Sequence, residues 1–234
     1  DGGEAGETWR HSTLSFYDTH MPLAAGHIER FASFSCLDFA QGVNPTAVKP
    51  GEPVFLSDNC HHELVEMARE RFAEKDPLNA RSVVSVKDEY VILHDSLRMK
   101  GLDIPVFWHL QAVADSHTGI LSKGYFFKGR FGTDFQLLLP GLDSSTDEIT
   151  QQPSLEYDRS PEKSFSMRHL QVKVASPDEI GAVIRPLSKG RKALKAVMLE
   201  SDGVKVGMHV TGEGVSDTLF LARSDISYSD GRIS

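Results

Sequence analysis

The sequence predicts an all-β protein: a large antiparallel β-sandwich with one short amphipathic helix. Two observations support this prediction. Apolar and polar side chains alternate strictly in several segments, such as residues 170–174 and 204–210, which is typical of strands with one solvent-facing side. Glycine, aspartate and serine cluster between such segments, and a strand recurs roughly every 10 to 15 residues, closer to the spacing of a sandwich than of βαβ units.

Other segments are apolar on both faces, which indicates central strands packed between layers. They are residues 81–86, 90–97, 105–110, 135–139, 182–184, 196–199 and 218–222. Hairpin turns are expected at Lys87-Asp88-Glu89 and Ser201-Asp202-Gly203, where turn-forming residues separate two strand-like segments. Gly212-Glu213-Gly214 is predicted to be a turn, because it lacks the third glycine and the lysine of a phosphate-binding loop.

One helix is predicted, from His61 to roughly Glu74. A capping residue is available at positions 57–59, four apolar residues share one face, and Asp76-Pro77 ends the pattern. Residues 141–163 are rich in serine, aspartate, glutamine and proline, so we expect a long exposed connection there. Because the strand-like segments on either side look alike, residues 1–234 are expected to form a single β-sandwich domain.

The composition excludes several classes of protein. With 40% hydrophobic and 25% charged residues, the 234-residue chain has ordinary globular composition. The net charge of −8 argues against a general nucleic-acid binder, although a local basic cleft can still bind a polyanion. No apolar run approaches the roughly 18 residues of a membrane span, and residues 1–6 do not look like an export signal.

The two cysteines allow only limited conclusions. A zinc cluster built on thiolates is excluded by their number. Cys36 and Cys60 are expected to be buried free thiols, with one disulfide as the alternative if the protein is exported.

Several segments carry a resemblance through their order and spacing. They are residues 9–14 (Trp-Arg-His-Ser-Thr-Leu), 26–28, 31–34, 38–42, 81–87, 90–95, 108–110 and 127–130. Together they resemble the C-terminal β-sandwich of the heparinase II/III-type polysaccharide lyases, a group that includes alginate and heparan lyases. The resemblance covers roughly residues 9–223 and is strongest from Arg81 to Trp108.

This resemblance implies an enzyme that cleaves uronate-containing polysaccharides by β-elimination. In the family an α/α toroid precedes the sandwich and supplies catalytic Tyr, Asn and Arg residues, while a His-x-His-x-Asp-like segment supplies a catalytic His. No His-x-His occurs in this sequence, so the catalytic residues are unknown. We expect the C-terminal part of a longer chain, with the toroid and first sandwich strands upstream or in trans. An acidic polysaccharide partner and a secreted or periplasmic bacterial location are also implied. No nucleic-acid partner and no membrane partner are expected, because of the net charge and the lack of a long apolar run.

The same resemblance suggests one metal ligand. The family often has His-Asn-Thr where this sequence has His11-Ser12-Thr13, and that His is in several members the third ligand of a structural zinc. The other two ligands, a His and an Asp, lie upstream in the family. His11 therefore resembles a zinc ligand whose partners are absent from this chain.

Four residues are candidates for substrate binding. Trp9 is an aromatic side chain that can stack on a sugar, and Lys128 and Arg130 form a small basic group that can contact a polyanion. His109 lies on the strand face opposite Trp108, where it either lines a groove or serves as a hydrogen-bonded sheet histidine. A second basic group is either a polyanion contact or a solvated strand edge. It comprises Arg185, Lys189, Arg191, Lys192 and Lys195.

Two other functions remain open. A non-catalytic carbohydrate- or protein-binding β-sandwich module would need no catalytic residues. A metal hydrolase built on His61, His62 and Glu66 is the third possibility, but the spacing lacks two histidines at i and i+4. His94 and Asp95 cannot act as a pair, because neighbouring strand residues face opposite ways, and Asp95 is expected to accept hydrogen bonds from the following turn.

Overall fold

The computed structural model describes twelve segments of the chain. They are residues 12–16, 26–45, 78–98, 106–120, 124–142, 148–157, 165–174, 179–188, 190–201, 204–221, 228–229 and 232–233. All regular structure in these segments is β-strand, and every strand pair is antiparallel, which confirms the all-β prediction. No helix in them is long and apolar enough to cross a membrane. The predicted helix at residues 61–74 lies outside the described residues.

The largest element is a sheet of eight strands, which we number in chain order and call the central sheet. In spatial order its strands are β2 (His27–Ser33), β3 (Leu37–Pro45), β4 (Leu78–Val86), β5 (Tyr90–Arg98), β12 (Glu179–Leu187), β9 (Asp134–Leu138), β8 (Gly124–Gly129) and β7 (Ala114–Ile120).

Two smaller sheets flank it. The four-stranded sheet has the order β1 (Leu14–Phe16), β6 (Val106–Ala112), β11 (Phe165–Val174) and β10 (Glu148–Tyr157). The three-stranded sheet has the order β13 (Lys195–Ser201), β14 (Val204–Gly212) and β15 (Val215–Phe220). A two-stranded pair, β16 (Tyr228–Ser229) and β17 (Arg232–Ile233), completes the described strands.

The middle strands of the central sheet are buried on both faces. Leu137 of β9 packs in the core shared with the four-stranded sheet, where Trp108 and Val172 also lie. The next residue, Leu138, packs in a second core with Met208 of the three-stranded sheet. Because successive strand residues point to opposite faces, these neighbours show that the central sheet lies between the other two. The sequence predicted strands packed between layers, but it did not predict the separate three-stranded sheet.

Residue 222 lies outside the described residues. Residues 196–199 and 218–220 do not form central strands, so the prediction is wrong for these two segments. They contribute to β13 and β15 of the three-stranded sheet, where Val197 remains 55% exposed and Phe220 37% exposed. An apolar run indicates a strand, but it does not distinguish a buried second face from an exposed apolar one.

The expected long connection over residues 141–163 is also wrong, because it contains β10. Among the described strands, β10 pairs only with β11, at the edge of the four-stranded sheet. The register shifts between Gln152 and Leu155, around Pro153, as expected where a proline interrupts an edge strand. The polar composition that suggested a loop is compatible with an edge strand.

The turn predictions at two sites are confirmed. Lys87-Asp88-Glu89 joins β4 to β5, with the amide of Glu89 donating to the carbonyl oxygen of Val86 and Asp88 at a positive φ of 63°. Gly212-Glu213-Gly214 joins β14 to β15, with Gly214 at a φ of +75°. Both turns reverse the chain where short polar residues or glycine can adopt the left-handed conformation.

Candidate functional site

An open groove of about 440 Å³ lies where the residues before β1 approach β2, β3 and β4. Its lining consists of Thr13, Gly26, His27, Ile28, Gly42, Val43, Asn79 and Arg81. Gly42 and Arg81 are register partners on β3 and β4, so they share one face of the central sheet. Among the described residues, a Cβ atom at position 42 would meet only the carbonyl oxygen of His27, at 3.9 Å. The glycine therefore leaves the space beside Arg81 open.

Arg81 is held in this groove by a buried carboxylate. Its Nε and Nη2 donate to the two carboxylate oxygens of Asp95 at 2.7 and 2.8 Å, and its Nη1 donates to the carbonyl oxygen of Ser12 at 2.5 Å. Asp95 has no exposed surface and also accepts a hydrogen bond from Nε1 of Trp108 at 3.2 Å. These contacts leave part of the guanidinium's donor capacity for a ligand, since the side chain is 22% exposed.

The charge of Arg81 is permanent. Burial lowers the pKa of its guanidinium, but the charge and hydrogen bonds of Asp95 more than offset this, so the pKa is raised. The groove consequently presents a fixed cation at any physiological pH, and a carboxylate or sulfate is its natural counter-ion.

Asn79 adds an unsatisfied hydrogen-bonding atom to the groove. It lies two residues before Arg81 on the same face of β4 and is 6% exposed. Its Oδ1 is buried and has no hydrogen-bond partner. Because a buried acceptor without a donor is costly, a ligand hydroxyl that donates to this oxygen would be stabilised.

The outer rim of the groove belongs to β2, an edge strand of the central sheet. His27 is exposed there, and Ile28 is 71% exposed. The groove thus combines an apolar rim with an imidazole, a cation and an unpaired amide oxygen. This set of groups suits a sugar that carries both hydroxyl groups and a carboxylate.

None of the predicted site residues that the structure describes lines this groove. Trp9 and His11 lie outside the described residues. Of the two residues that follow His11 in the chain, Ser12 accepts a hydrogen bond from Arg81 and Thr13 lines the groove. Lys128 and Arg130 are exposed at the hairpin between β8 and β9, and three other strands separate β8 from β4. Substrate contact by these residues stays a prediction.

His109 adjoins the groove through its backbone, because its amide donates to the carbonyl oxygen of Thr13 at 2.8 Å. Its imidazole has no exposed surface. Its Nδ1 lies 2.9 Å from Nε2 of His169, and the two rings stack with their centroids 5.1 Å apart. In this structure the His109 side chain is therefore a buried, hydrogen-bonded sheet histidine, which was the second of the two alternatives. Contact between His109 and the substrate stays a prediction.

The two stacked histidines are neutral at pH 7. Burial, and then the neighbouring His169, lowers the pKa of His109 to about 3, while burial lowers the pKa of His169 to about 4. Between neutral rings one nitrogen donates and the other accepts. His169 was not among the predicted site residues, although the alternation over residues 170–174 places it on the same face of β11 as Gln171.

His94 and Asp95 face opposite ways, as predicted. Asp95 binds Arg81, whereas Nε2 of His94 lies 2.9 Å from Oε2 of Glu179 on the other face. The expectation that Asp95 accepts hydrogen bonds from the following turn is wrong, because strand register places Arg81 directly opposite it. A sequence signal existed: Arg81 and Asp95 are equally distant from Asp88, the centre of the predicted hairpin.

The described residues do not by themselves fit a zinc site. Among them, no group of three or more His, Cys, Asp or Glu side chains could hold a metal ion. His61, His62, Glu66 and Cys60 lie outside the described residues. Cys36 is a free thiol and is exposed in the β2–β3 hairpin, so the expectation that it is buried is wrong.

Comparison with solved structures gives three informative similarities. The heparan sulfate lyase HepC from Pedobacter heparinus matches with a TM-score of 0.62 and 14% identity, over 90% of this chain and 30% of that chain. The heparinase III-BT4657 gene product matches with a TM-score of 0.65 and 14% identity, over 91% of this chain and 30% of that chain. A heparinase III structure matches with a TM-score of 0.59 and 12% identity, over 91% of this chain and 29% of that chain. The fold is a heparinase-like β-sandwich.

This heparinase-like β-sandwich spans about 30% of the length of the solved structures that it resembles. At 14% identity the likeness establishes the fold, which is related to that of polysaccharide lyases. No protein-family model matches the sequence, and no curated protein sequence matches it.

Proposed function

We propose that this chain is the β-sandwich portion of a polysaccharide lyase that cleaves uronate-containing glycans by β-elimination. The observation that supports the proposal is the likeness of its fold to heparan sulfate lyases over 90% of the chain. The groove around Arg81 is, in this proposal, the part of the substrate cleft that the sandwich walls. An α/α toroid, upstream or in a separate chain, would complete the cleft.

β-Elimination removes the proton next to a uronate carboxylate and expels the 4-linked sugar. Negative charge develops toward that carboxylate, so a fixed cation beside it lowers the barrier. In our proposal Arg81 contacts the carboxylate, and Oδ1 of Asn79 accepts a hydrogen bond from a sugar hydroxyl. Neither group exchanges a proton, because the pKa of Arg81 is raised and an amide does not titrate. The base and the acid would come from the remainder of the enzyme.

Blocking the groove tests its role without disturbing the Arg81–Asp95 pair. Gly42→Leu places an aliphatic side chain beside Arg81, where the new Cβ meets nothing closer than 3.9 Å. On the intact protein that carries this chain, KM for a uronate polymer is expected to rise at least about tenfold, which corresponds to roughly 1.4 kcal/mol of binding. The assay follows the ultraviolet absorbance of the unsaturated uronate product with heparan sulfate, alginate and hyaluronan.

Gly119→Leu is the matched control. Gly119 is also a strand glycine, on β7, and a Cβ there meets Tyr125 at an ordinary 3.8 Å. Equal KM values for the wild type and Gly42→Leu would contradict the proposed role of the groove. Saturable glycan binding without any unsaturated product would instead favour the alternative, a non-catalytic carbohydrate- or protein-binding module.

We also propose His11 as a ligand of a structural zinc whose other ligands lie elsewhere in the protein. His11→Ala is expected to abolish the zinc content of the purified intact protein, measured by elemental analysis, because zinc needs three or four convergent ligands. His209→Ala is the control, since His209 lies on the three-stranded sheet and contacts Thr218. Equal zinc content in both variants, or none in the wild type, would exclude this role for His11.

A location outside the cytoplasm follows from the same proposal. An acidic polysaccharide polymer is met outside the cell or in the bacterial periplasm, so we propose a secreted or periplasmic protein. Cell fractionation checks this, and recovery of the intact protein from the cytosol alone would contradict it.

A further inference from the structure

Arg185 of β12 is a buried cation with incomplete hydrogen bonding. Its side chain is 5% exposed and shares the face of Val183, which packs toward the three-stranded sheet. Its Nε and Nη1 are buried and have no hydrogen-bond partner. Among the residues that the structure describes, its ion partner is Glu89, with 3.5 Å between Nη2 and Oε2. Buried guanidinium N–H groups are normally paired, so these donors point to an absent acceptor.

The Glu89 carboxylate is loosely held between two arginines. Nη1 of Arg191 lies 3.9 Å from Oε2 of Glu89 and donates to its backbone carbonyl oxygen at 3.4 Å. These distances exceed the roughly 2.7–2.9 Å of a strong charge-assisted hydrogen bond. The Glu89 side chain is 39% exposed and ends the turn between β4 and β5. It can therefore move into solvent without unfolding either strand.

The other polar neighbours are already engaged. The hydroxyl of Tyr90 donates to Asp217 at 2.7 Å, and Lys192 pairs with Glu213 at 2.9 Å. The side-chain amide of Gln136, the register partner of Arg185 on β9, makes two hydrogen bonds to the backbone of Leu194. None of these groups supplies the acceptors that Arg185 lacks.

We propose that Arg185 and Arg191 form a binding site for a tetrahedral oxyanion, sulfate or phosphate, and that the Glu89 carboxylate is its internal substitute. A tetrahedral oxyanion has more acceptor oxygens than a carboxylate, so it can satisfy the unpaired donors of Arg185 and still bridge to Arg191. The oxyanion enters as the Glu89 side chain swings outward. It is either a free ion or a group carried on a glycan.

This site is separate from the groove around Arg81. Arg81 lies on the face of the central sheet that meets the four-stranded sheet, whereas Arg185 lies on the face that meets the three-stranded sheet. The inference therefore does not rest on the proposed lyase function, and a failure of the elimination assay would leave it intact.

Calorimetric titration of the intact protein with sodium sulfate, at constant ionic strength in chloride, tests the proposal. Glu89→Gln removes the competing carboxylate and is expected to tighten sulfate binding at least about tenfold. Arg191→Gln removes one of the two cations and is expected to weaken it by at least the same factor. Lys192→Gln is the matched control, because Lys192 follows Arg191 in the chain and pairs with Glu213 instead. Its affinity should equal that of the wild type.

Further titrations identify the source of the oxyanion. If sodium sulfate or phosphate binds and heparan sulfate oligosaccharides do not compete with it, the ligand is a free ion. If the oligosaccharides compete with sulfate, the ligand is a group carried on a glycan. No saturable binding in either the wild type or Glu89→Gln would overturn the proposal. An equal loss in Lys192→Gln and Arg191→Gln would also overturn it, because general charge attraction would then explain the binding. Arg185→Met, which removes the buried cation, is a further variant. If it fails to fold, Arg191→Gln still tests the site, because Arg191 is only half-buried.

Discussion

The Arg81–Asp95 pair positions the cation that the described residues present in the groove. Asp95 is completely buried, and its two oxygens are occupied by Arg81 and Trp108. Removal of Arg81 would leave an uncompensated buried carboxylate, which typically costs about 3–5 kcal/mol. A loss of activity in an Arg81 variant would therefore not distinguish unfolding of the protein from loss of substrate binding. The open space at Gly42 offers the cleaner test at this scale.

A second feature of individual residues predicts acid sensitivity. In the unfolded chain a histidine protonates below about pH 6.5, whereas folded His109 and His169 stay neutral down to about 3 and about 4. The unfolded state therefore binds more protons in this window, and stability falls as the pH falls. The expected loss is up to about 1.4 kcal/mol per pH unit for each histidine.

Urea unfolding at pH 7, 5.5 and 4.5 measures this dependence. His169→Gln is expected to flatten it, because one of the two buried imidazoles is gone. His27→Gln, which removes an exposed imidazole, is the control and should follow the wild type. An unchanged slope in His169→Gln would contradict the assignment.

Among the elements, the β8–β9 hairpin is held by close backbone contacts. The amide of Gly129 donates to Oδ1 of Asp134 at 3.0 Å, which closes the turn that presents Lys128 and Arg130. A Cβ at position 129 would lie 1.8 Å from the carbonyl oxygen of Thr133. Glycine is needed here because the backbones approach too closely for any side chain.

Gly129→Ala is accordingly expected to lower the free energy of unfolding by at least about 2 kcal/mol, since the hairpin backbone must open to admit the methyl group. Chemical denaturation measures the change. Gly119→Ala on the neighbouring β7 is the control, because its Cβ meets Tyr125 at 3.8 Å. Similar losses in the two variants would show that the close approach at Gly129 has no energetic consequence.

At the scale of the whole molecule, two cores share one sheet. Leu137 and Leu138 are neighbours on β9, yet they belong to the cores on opposite faces of the central sheet. Substitution of either by alanine is expected to cost about 2–5 kcal/mol, because each leaves a cavity in a close-packed core. Since both cores depend on the same strands, either substitution should shift one common unfolding transition.

Denaturation followed by far-ultraviolet circular dichroism and by tryptophan fluorescence checks this expectation. Coincident transitions in both variants support the predicted single domain. Separate transitions for the two cores would contradict it. Phe131→Ala is the control, since Phe131 is 79% exposed and its loss should cost less than about 0.5 kcal/mol.

One part of the site, the pairing of Arg81 with Asp95, could have been anticipated from local sequence. The hairpin centre at Asp88 predicts which residues of β4 and β5 lie opposite each other, and so the pairing of Arg81 with Asp95. The unpaired oxygen of Asn79 could not be predicted, because it depends on what the rest of the chain places around it. The same holds for β10, whose polar residues form a strand only because β11 is available as a partner.

The sequence by itself determined that this protein is built of antiparallel strands, where several of its turns lie, and that His94 and Asp95 face apart. These properties follow from side-chain alternation and turn chemistry, which act between residues close in the chain. Only the tertiary structure decided that eight strands form one sheet whose middle strands are buried on both faces. It alone brought His109 to His169 and Glu89 to Arg185 and Arg191. Such contacts join distant parts of the chain, and the packing of whole sheets against one another selects them.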